Sequence, residues 1–370
     1  MDSLRDATVE LLPPRAEGSS QTLPVVAVIG WGVPGELVES HGATVLRVLP
    51  EHGRPTPLAD TLVGSGEAHE IRSLLEPALE GSFRDCALLV VTRSHEWVYY
   101  FLKEAARTGA GESGPFPPLH LHDFIASSNA SLSAYNAEQV VRLQKALRRV
   151  LGDPSQAVFD EAITASNARR DVMRRLADLR RAGRVSGVDA VRFAAAAATQ
   201  SARAFVAGWS QWQLERSAPE GRARLLLLSG DDDSDGKVHQ AIEAAGAIIV
   251  AEDGEWGIRT ATPDLEITAE PLDALVDAML DGATGPSVSP RELRLGWALE
   301  AMERDDIDAV VFAIPPSDSR YGWDYPVLRD RATSLGLPQY LLSIDARVQS
   351  SAATEAIAAF LSTLGREIAA

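Results

Sequence analysis

The sequence predicts an α/β protein with two similar parallel-sheet, flavodoxin-like domains that a helical connector joins. Short apolar runs alternate with amphipathic helical patterns, which is the order expected of parallel strands linked by crossover helices. The same order of strand, loop, helix and strand occurs twice, once near residue 30 and again near residue 230. Residues from 154 to about 216, between the two copies, have a helical period throughout.

The first copy begins with the run LPVVAVIG, a β-branched strand that ends at Gly30. The stretch VPGELVESHGA follows as a helix with Pro34 near its first turn, and TVLRVL follows as the next strand. Further along, RDCALLVVTRSHEW has an acidic start, a buried strand and a polar loop. These segments predict parallel strands with helices between them.

The second copy repeats this order with other residues. RLLLLSG is a strand, DDSDGKVHQAIEAAGA is a loop and helix, and IIVAED is a strand. IDAVVFAIPPSDSR then matches RDCALLVVTRSHEW in its acidic start, apolar strand and polar loop. The repeat predicts that the two domains share one topology.

Breaks in these patterns set the predicted domain boundaries. Residues 1–23 are predicted to be a loose N-terminal arm, because they contain Pro13, Pro14 and a Gly-Ser-Ser run without a sustained period. The predicted first α/β domain covers 24–152, the helical connector 153–219, and the second α/β domain 220–370.

Composition excludes several classes of protein. The chain has 370 residues, 45% of them hydrophobic, and a formal net charge of -17. Nucleic-acid binding needs a basic surface, so no nucleic-acid partner is expected. The apolar runs are too short for a membrane span and the N-terminus lacks a signal-peptide pattern, so we expect a cytoplasmic protein without membrane contact. A single cysteine, Cys86, excludes an internal disulfide framework.

Four polar loops are the candidates for a functional site. Ligands of parallel α/β sheets bind beyond the carboxyl ends of the strands, which is where these loops are predicted. If the two halves face each other, the loops would line one cleft. The loops run from Trp31 to Glu36, Thr92 to Trp97, Gly230 to Asp235, and Pro315 to Asp324.

Five segments of the chain follow the order of a known family pattern. They are GWGVPGELVESHGATVLRVL, EIRSLLEPALEGSFRDCALLVVT, NARRDVMRRLADLRRAG, EAAGAIIVAEDGEWGIR and YPVLRDRATSLGLPQYLLSID. In these segments the chain resembles the 2-hydroxyacyl-CoA dehydratase and benzoyl-CoA reductase superfamily, as a D-component-like subunit. The resemblance covers roughly Leu23 to Leu364 and implies two α/β domains with a helical connector.

The resemblance also implies a [4Fe-4S] cluster on three cysteines, which passes an electron to an acyl-CoA thioester. The family pattern places these cysteines at positions that here are Ala68, about Ser94, and near Ser317. Cys86 falls within the strand run DCALLVV, where a small buried side chain is expected. Alanine has no lone pair and serine hydroxyls are poor ligands for iron, so we expect no cofactor bound by this chain alone. An acyl-CoA thioester is the expected ligand.

Three residues are candidates for catalysis. His95 and Glu96 follow a predicted strand and could act as a general base with its neighbour, or as metal ligands. Alternatively, they cap and begin the helix HEWVYYFLKEA. Glu36 corresponds to the second glutamate of the family's PEEL element, while Gly35 replaces the first. The alternative for Glu36 is a first-turn carboxylate favoured by the helix dipole.

Other polar side chains near these loops are predicted to bind substrate. Arg320 in particular would pair with a phosphate or a carboxylate. His120 and His122 lie two apart and so share one strand face, either as part of a zinc or iron site with His95 or Glu96, or as a buried pair. The predicted substrate-binding residues are Trp31, Arg93, Ser94, His122, Ser317 and Arg320.

Two functions are compatible with these features. The first is a cluster-free subunit that contributes an acyl-CoA cleft and pairs with a homologous cluster-bearing subunit, or with a second copy of itself as a dimer. The second is a stand-alone enzyme with non-radical chemistry on an acyl-CoA or small carboxylic substrate in a biosynthetic pathway. The first requires only that the fold and the interface are kept, whereas the second requires a new catalytic set.

Overall fold

The computed structural model describes residues 23–51, 53–109, 116–125, 130–211, 222–230, 236–254, 262–268, 271–281, 291–314, 318, 321–343 and 350–368. Of the predicted N-terminal arm, only Leu23 falls among them. The chain divides into two compact units. The first unit draws on residues 1–171, 195–212 and 262–284, and the second on 172–194, 213–261 and 285–370. The predicted connector is thereby divided between the two units.

The first unit contains a four-stranded, all-parallel sheet. Its strands are β1 (Val25–Ile29), β2 (Thr44–Val48), β3 (Leu88–Thr92) and β4 (Leu119–His122), in the order β2-β1-β3-β4. The central strands β1 and β3 are almost completely buried. This burial explains why both strands are continuous apolar runs without the alternation of a half-exposed strand.

The second unit contains a second four-stranded parallel sheet with the same strand order. Its strands are β5 (Arg224–Gly230), β6 (Ile248–Gly254), β7 (Ala309–Ile314) and β8 (Gln339–Ser343), in the order β6-β5-β7-β8. The matched segments of the sequence thus become β3 and β7, which occupy equivalent positions in the two sheets. The predicted fold class, with two similar parallel-sheet domains, is confirmed.

Helices connect the strands of both sheets. In chain order they are α1 (Gly35–Ser40), α2 (Pro57–Val63), α3 (His69–Leu79), α4 (Glu96–Thr108), α5 (Ala130–Leu151), α6 (Gln156–Arg181), α7 (Gly187–Thr199), α8 (Ala202–Gln211), α9 (Lys237–Ala244), α10 (Pro271–Asp281), α11 (Arg291–Met302), α12 (Tyr321–Ser334) and α13 (Ser350–Ile368), with a short 3-10 helix at Arg93–His95 before α4. None of the helices in the described part of the chain combines the length and the apolar character that a membrane span requires.

The first sheet separates two hydrophobic cores. Val26 and Val28 of β1 pack on one side with Leu143 of α5. Ala27 and Ile29 point to the other side, where α3 and α4 pack. This alternation follows from the two-residue period of a strand. Cys86 belongs to the second core and is buried as expected, but it lies two residues before β3, so its predicted place inside the strand is wrong.

Candidate functional site

The candidate site lies in the first unit, at the carboxyl edge of the sheet. β2 lies on one side of β1 and β3 on the other, so the connections after β1 and β3 run in opposite directions. Such a reversal of strand order opens a crevice at the carboxyl ends of the two strands, where parallel α/β sheets bind their ligands. We refer to this place as the switch point.

Gly30 brings the loop after β1 against the loop after β3. Its φ is +96°, a value that residues with a Cβ rarely adopt. A Cβ at this position would lie 1.9 Å from Thr92 Oγ1, and 2.9 Å from both Ser94 Oγ and His95 Nδ1. The absence of a side chain at residue 30 therefore leaves room for three polar side chains at the switch point.

A chain of hydrogen bonds links four side chains at this place. The Thr92 and Ser94 hydroxyl oxygens are 3.0 Å apart, and Ser94 Oγ lies 2.9 Å from His95 Nδ1. His95 Nε2 lies 3.1 Å from Glu70 Oε1, on the first turn of α3. We call Thr92, Ser94, His95 and Glu70 the switch-point relay.

The hydrogen bonds of the relay have one consistent direction when His95 is neutral. The ionised Glu70 carboxylate can only accept, so His95 Nε2 carries the proton and donates it to Glu70. Nδ1 of the neutral ring then has a lone pair, and Ser94 donates its hydroxyl proton to it. Thr92 in turn donates to Ser94 Oγ. The arrangement thus directs a serine proton at a basic nitrogen.

The relay runs from the protein interior towards the surface. Thr92 is 2% exposed, whereas the side chains of His95 and Glu70 are 13% and 42% exposed. Ser94 is intermediate. The relay is therefore anchored at the buried sheet edge, while its middle members and its last member, Glu70, are partly exposed.

The comparisons identify the family of this fold and site. The sequence model described as 2-hydroxyglutaryl-CoA dehydratase, D-component, matches residues 30–364. The chain belongs to this family. The match covers the second sheet and every strand of the first sheet except β1, and it agrees with the family indicated by the five sequence segments. A search of the curated proteins finds no match.

In this D-component family member, one of the positions at which the resemblance places cysteines is next to the relay in sequence, and another is part of it. Ala68 is the residue before α3, one residue before its first turn, and has no polar side chain. Ser94 is a member of the relay itself. The third position, Ser317, and the predicted substrate residue Arg320 lie outside the described residues. The predicted approach of His95 and Glu96 to residues 317–320 stays a prediction.

Arg93, a predicted substrate residue, has a protein partner in this D-component chain. Its Nη1 atom lies 2.6 Å from Asp123 Oδ1, and Tyr135 donates its hydroxyl to Asp123 Oδ2. Burial opposes ionisation of Asp123, but the bonds from Tyr135 and Arg93 outweigh it and lower the pKa of the carboxyl. An anionic ligand would therefore compete with Asp123 for Arg93.

His122 is a neutral, buried imidazole beside the relay. It pairs in register with Thr92 and is 0% exposed, and burial lowers its pKa to about 4. The Gly32 carbonyl lies close enough to favour the protonated ring somewhat, but no atom among the described residues meets hydrogen-bonding geometry with either ring nitrogen. The site thus contains an imidazole with, at most, one weak backbone contact in the described part of the chain.

His120 and His122 share one face of β4, as predicted from their spacing. Their ring centroids are 6.4 Å apart, which exceeds the separation of two rings on one tetrahedral zinc ion with bonds of about 2.1 Å. Within the described ranges, no group of three or more His, Cys, Asp or Glu side chains is placed to hold a metal ion. The zinc or iron alternative is therefore not supported there, and His120 is a half-buried imidazole whose pKa burial lowers to about 4.

Glu36 has structural partners instead of a place in the relay. It is 3% exposed, forms an ion pair with Arg170 of α6, and accepts a hydrogen bond of 2.6 Å from Ser166 Oγ. Burial opposes its ionisation, but the charges of Arg170 and Arg169 dominate and lower its pKa. Glu36 is thus an ionised carboxylate that joins α1 to α6.

Trp31 and Glu96 lie on either side of the switch point. Trp31 follows Gly30, and the guanidinium of Arg47 lies over its ring. Glu96 is the first residue of α4, and His95 is the residue that precedes this helix, as the alternative reading of the sequence expected. Neither His95 nor Thr92 uses its side chain to cap a helix, so their hydroxyl and imidazole groups remain in the relay.

Sequence reasoning missed Glu70 and Gly30. Glu70 lies 25 positions from its partner His95, and only the packing of α3 brings the two together. A signal was nevertheless present, because Glu70 is two residues from Ala68, a position that the family resemblance places at the site. The structure thus assembles Ser94, His95 and His122 from the predicted set, adds Glu70, and assigns Glu36 to a separate ion pair.

Proposed function

We propose that the chain is a cluster-free subunit of a 2-hydroxyacyl-CoA dehydratase-like system in the cytoplasm. In this role it contributes an acyl-CoA cleft at the switch point and pairs with a homologous, cluster-bearing subunit. The family description names a component of a dehydratase, which supports a partner. The observation that carries the proposal concerns the positions where the family resemblance places the cluster cysteines. Ala68 and Ser94 occupy two of these positions, and neither is a thiol.

This donor set does not fit a [4Fe-4S] cluster. Cluster iron is held by thiolates, and the chain has one cysteine. Burial raises the pKa of that cysteine, Cys86, to about 11, so its thiol stays protonated and unreactive at neutral pH. Ala68 offers no ligand atom, and Ser94 is a neutral hydroxyl engaged with His95. No step of electron transfer is therefore assigned to this chain.

Binding of acyl-CoA thioesters tests the proposal directly. Titration calorimetry would use a panel of thioesters, with the chain alone and with a cluster-bearing homologue encoded beside it. We expect the two proteins to co-purify and a thioester to bind, and His95→Ala to weaken this binding about 10-fold or more without lowering the melting temperature. His69→Ala, on the helix of Glu70 but outside the relay, is the matched control.

Failure of both measurements would overturn the subunit proposal. If no homologue co-purifies and every thioester fails to bind in either setting, the switch point is not an acyl-CoA cleft. If His95→Ala melts the protein but leaves affinity intact, the relay is only structural.

The relay favours a second candidate function. A serine hydroxyl that donates to an imidazole, which in turn donates to a carboxylate, is the arrangement that activates nucleophiles in acyl transfer. It supports a stand-alone enzyme with non-radical chemistry on an acyl-CoA or small carboxylic substrate. Turnover of a thioester by the chain without any partner would distinguish this function from the subunit.

A further inference from the structure

We infer that Ser94 is a nucleophile that takes the acyl group from a thioester, with His95 as its general base and Glu70 as the residue that positions His95. The inference deepens the second candidate function, and its thioester substrate class rests on that function. The juxtaposition that supports it is Ser94 Oγ at 2.9 Å from His95 Nδ1 and His95 Nε2 at 3.1 Å from Glu70 Oε1.

The direction of the hydrogen bonds meets the chemical requirement for activation. A serine hydroxyl is a weak nucleophile until a base removes its proton, and the base must be oriented by a third group. When the His95 ring is neutral, Glu70 accepts from Nε2, and the lone pair left on Nδ1 faces Ser94. With Ser94 donating to this neutral ring, Thr92 donates in turn to Ser94 Oγ and holds the hydroxyl in that orientation.

A purely structural role for these bonds has little support in the local geometry. A threonine before a helix ordinarily caps a free backbone N–H group with its hydroxyl, and a histidine there has an imidazole that could also accept such a bond. His95 precedes α4, yet its side chain makes no capping hydrogen bond, and neither does that of Thr92. The side chains bond to one another and to Glu70, on a different helix.

The surroundings of Ser94 suit the attack on a carbonyl group. Ser94 lies close to the start of α4, a helix of 13 residues whose N-terminus carries partial positive charge and favours the oxyanion that forms. The backbone of Gly30 packs closely against the two reacting side chains. A Cβ at residue 30 would lie 2.9 Å from both Ser94 Oγ and His95 Nδ1. His122, a buried imidazole on the neighbouring strand, is a further polar group beside Thr92.

The reaction balances without an oxidant, a reductant or a metal. Ser94 Oγ forms a bond to the thioester carbonyl carbon as its proton passes to His95 Nδ1. The carbon–sulfur bond then breaks, and the leaving thiolate takes the proton from His95, so that an acyl-serine ester and a free thiol result. Water attacks the ester with His95 again as base, which releases a carboxylic acid and restores the Ser94 hydroxyl.

A fluorophosphonate probe tests the nucleophile without needing any thioester to bind. By intact-protein mass spectrometry we expect one phosphonyl adduct per chain in the wild type and none in Ser94→Ala. Glu70→Gln, which keeps the shape of the side chain, should slow labelling on the order of 10²-fold while the melting temperature is retained. Glu70→Asp should restore part of the rate. Glu104→Gln, the same change on an exposed glutamate of α4, is the matched control and should label like the wild type.

A second measurement tests the substrate class. Incubation with short-chain acyl-CoA thioesters should yield an acyl adduct on Ser94 and a free thiol, both absent in Ser94→Ala. An unlabelled wild type, or labelling that survives in Ser94→Ala, would overturn the inference. Phosphonate labelling without acyl transfer from any thioester would overturn the thioester assignment. Neither result bears on co-purification with a homologue, so failure of the nucleophile and failure of the subunit function are distinguishable.

Discussion

At the scale of single residues, Gly30 is decisive for the shape of the switch point. We expect Gly30→Ala to lower the free energy of unfolding by about 2 kcal/mol or more, because positive-φ strain of about 1 kcal/mol adds to the overlap with Thr92. Gly32→Ala is the matched control, since Gly32 also has a positive φ but no atom within 4 Å of an added Cβ. Urea unfolding measures both, and equal losses would contradict the close approach.

Glu36 and its ion pair provide a second prediction at this scale. Glu36→Gln removes the counter-charge of Arg170, whose side chain is only 14% exposed, so we expect a loss of about 3 kcal/mol in the free energy of unfolding. Glu104→Gln, at an exposed carboxylate paired with Arg107, should leave the unfolding midpoint nearly unchanged. If Glu36→Gln keeps its stability but loses thioester binding, the result would instead support the sequence-based prediction that Glu36 acts in catalysis.

At the scale of elements, β4 makes stability depend on pH. The pKa of His122 falls from 6.5 in the unfolded chain to about 4 in the folded protein. Between these values the unfolded chain binds a proton that the folded protein does not, so stability is complete above about pH 6.5 and declines as the pH falls. We expect the fall between about pH 7 and pH 5 to be smaller by about 2 kcal/mol in His122→Leu.

Urea unfolding of both proteins at the two pH values measures this difference. The comparison at about pH 7, where His122 is neutral in both states, separates the packing effect of the substitution from its effect on proton binding. His120, with a pKa also near 4, stays in both proteins and contributes equally to them. Identical pH dependence of the two proteins would mean that His122 is not titrating from a buried site.

At the scale of the whole molecule, the cysteine content predicts the metal content. The chain purified alone under anaerobic conditions should contain far less than one [4Fe-4S] cluster, because Cys86 is its single thiol and lies in a hydrophobic core. Iron and acid-labile sulfide analysis after attempted reconstitution measures this. Cys86→Ala is the control and should give the same content. About four irons per chain with a brown chromophore would contradict the prediction.

The sequence alone determined the architecture of both sheets. Strands buried on both faces must be continuous apolar runs, and helices that cross over them must be amphipathic, so both are visible as local patterns. For this reason LPVVAVIG, DCALLVVT, RLLLLSG and IDAVVFAI predicted parallel strands, and their repetition predicted one topology for the two sheets. The scarcity of thiolates is likewise a property of composition and needs no coordinates.

Only the tertiary structure decided which polar side chains belong together. His95 meets Glu70 because α3 packs beside the switch point, and Glu36 meets Arg170 across 134 positions of chain. Neither pairing leaves a periodic signal, since a single hydrogen bond between distant residues constrains no neighbouring position. The burial that makes His122 neutral also comes from strand order, which places β4 against β3. Local patterns therefore specify where strands and helices form, whereas the chemistry of the site depends on contacts that exist only after they pack.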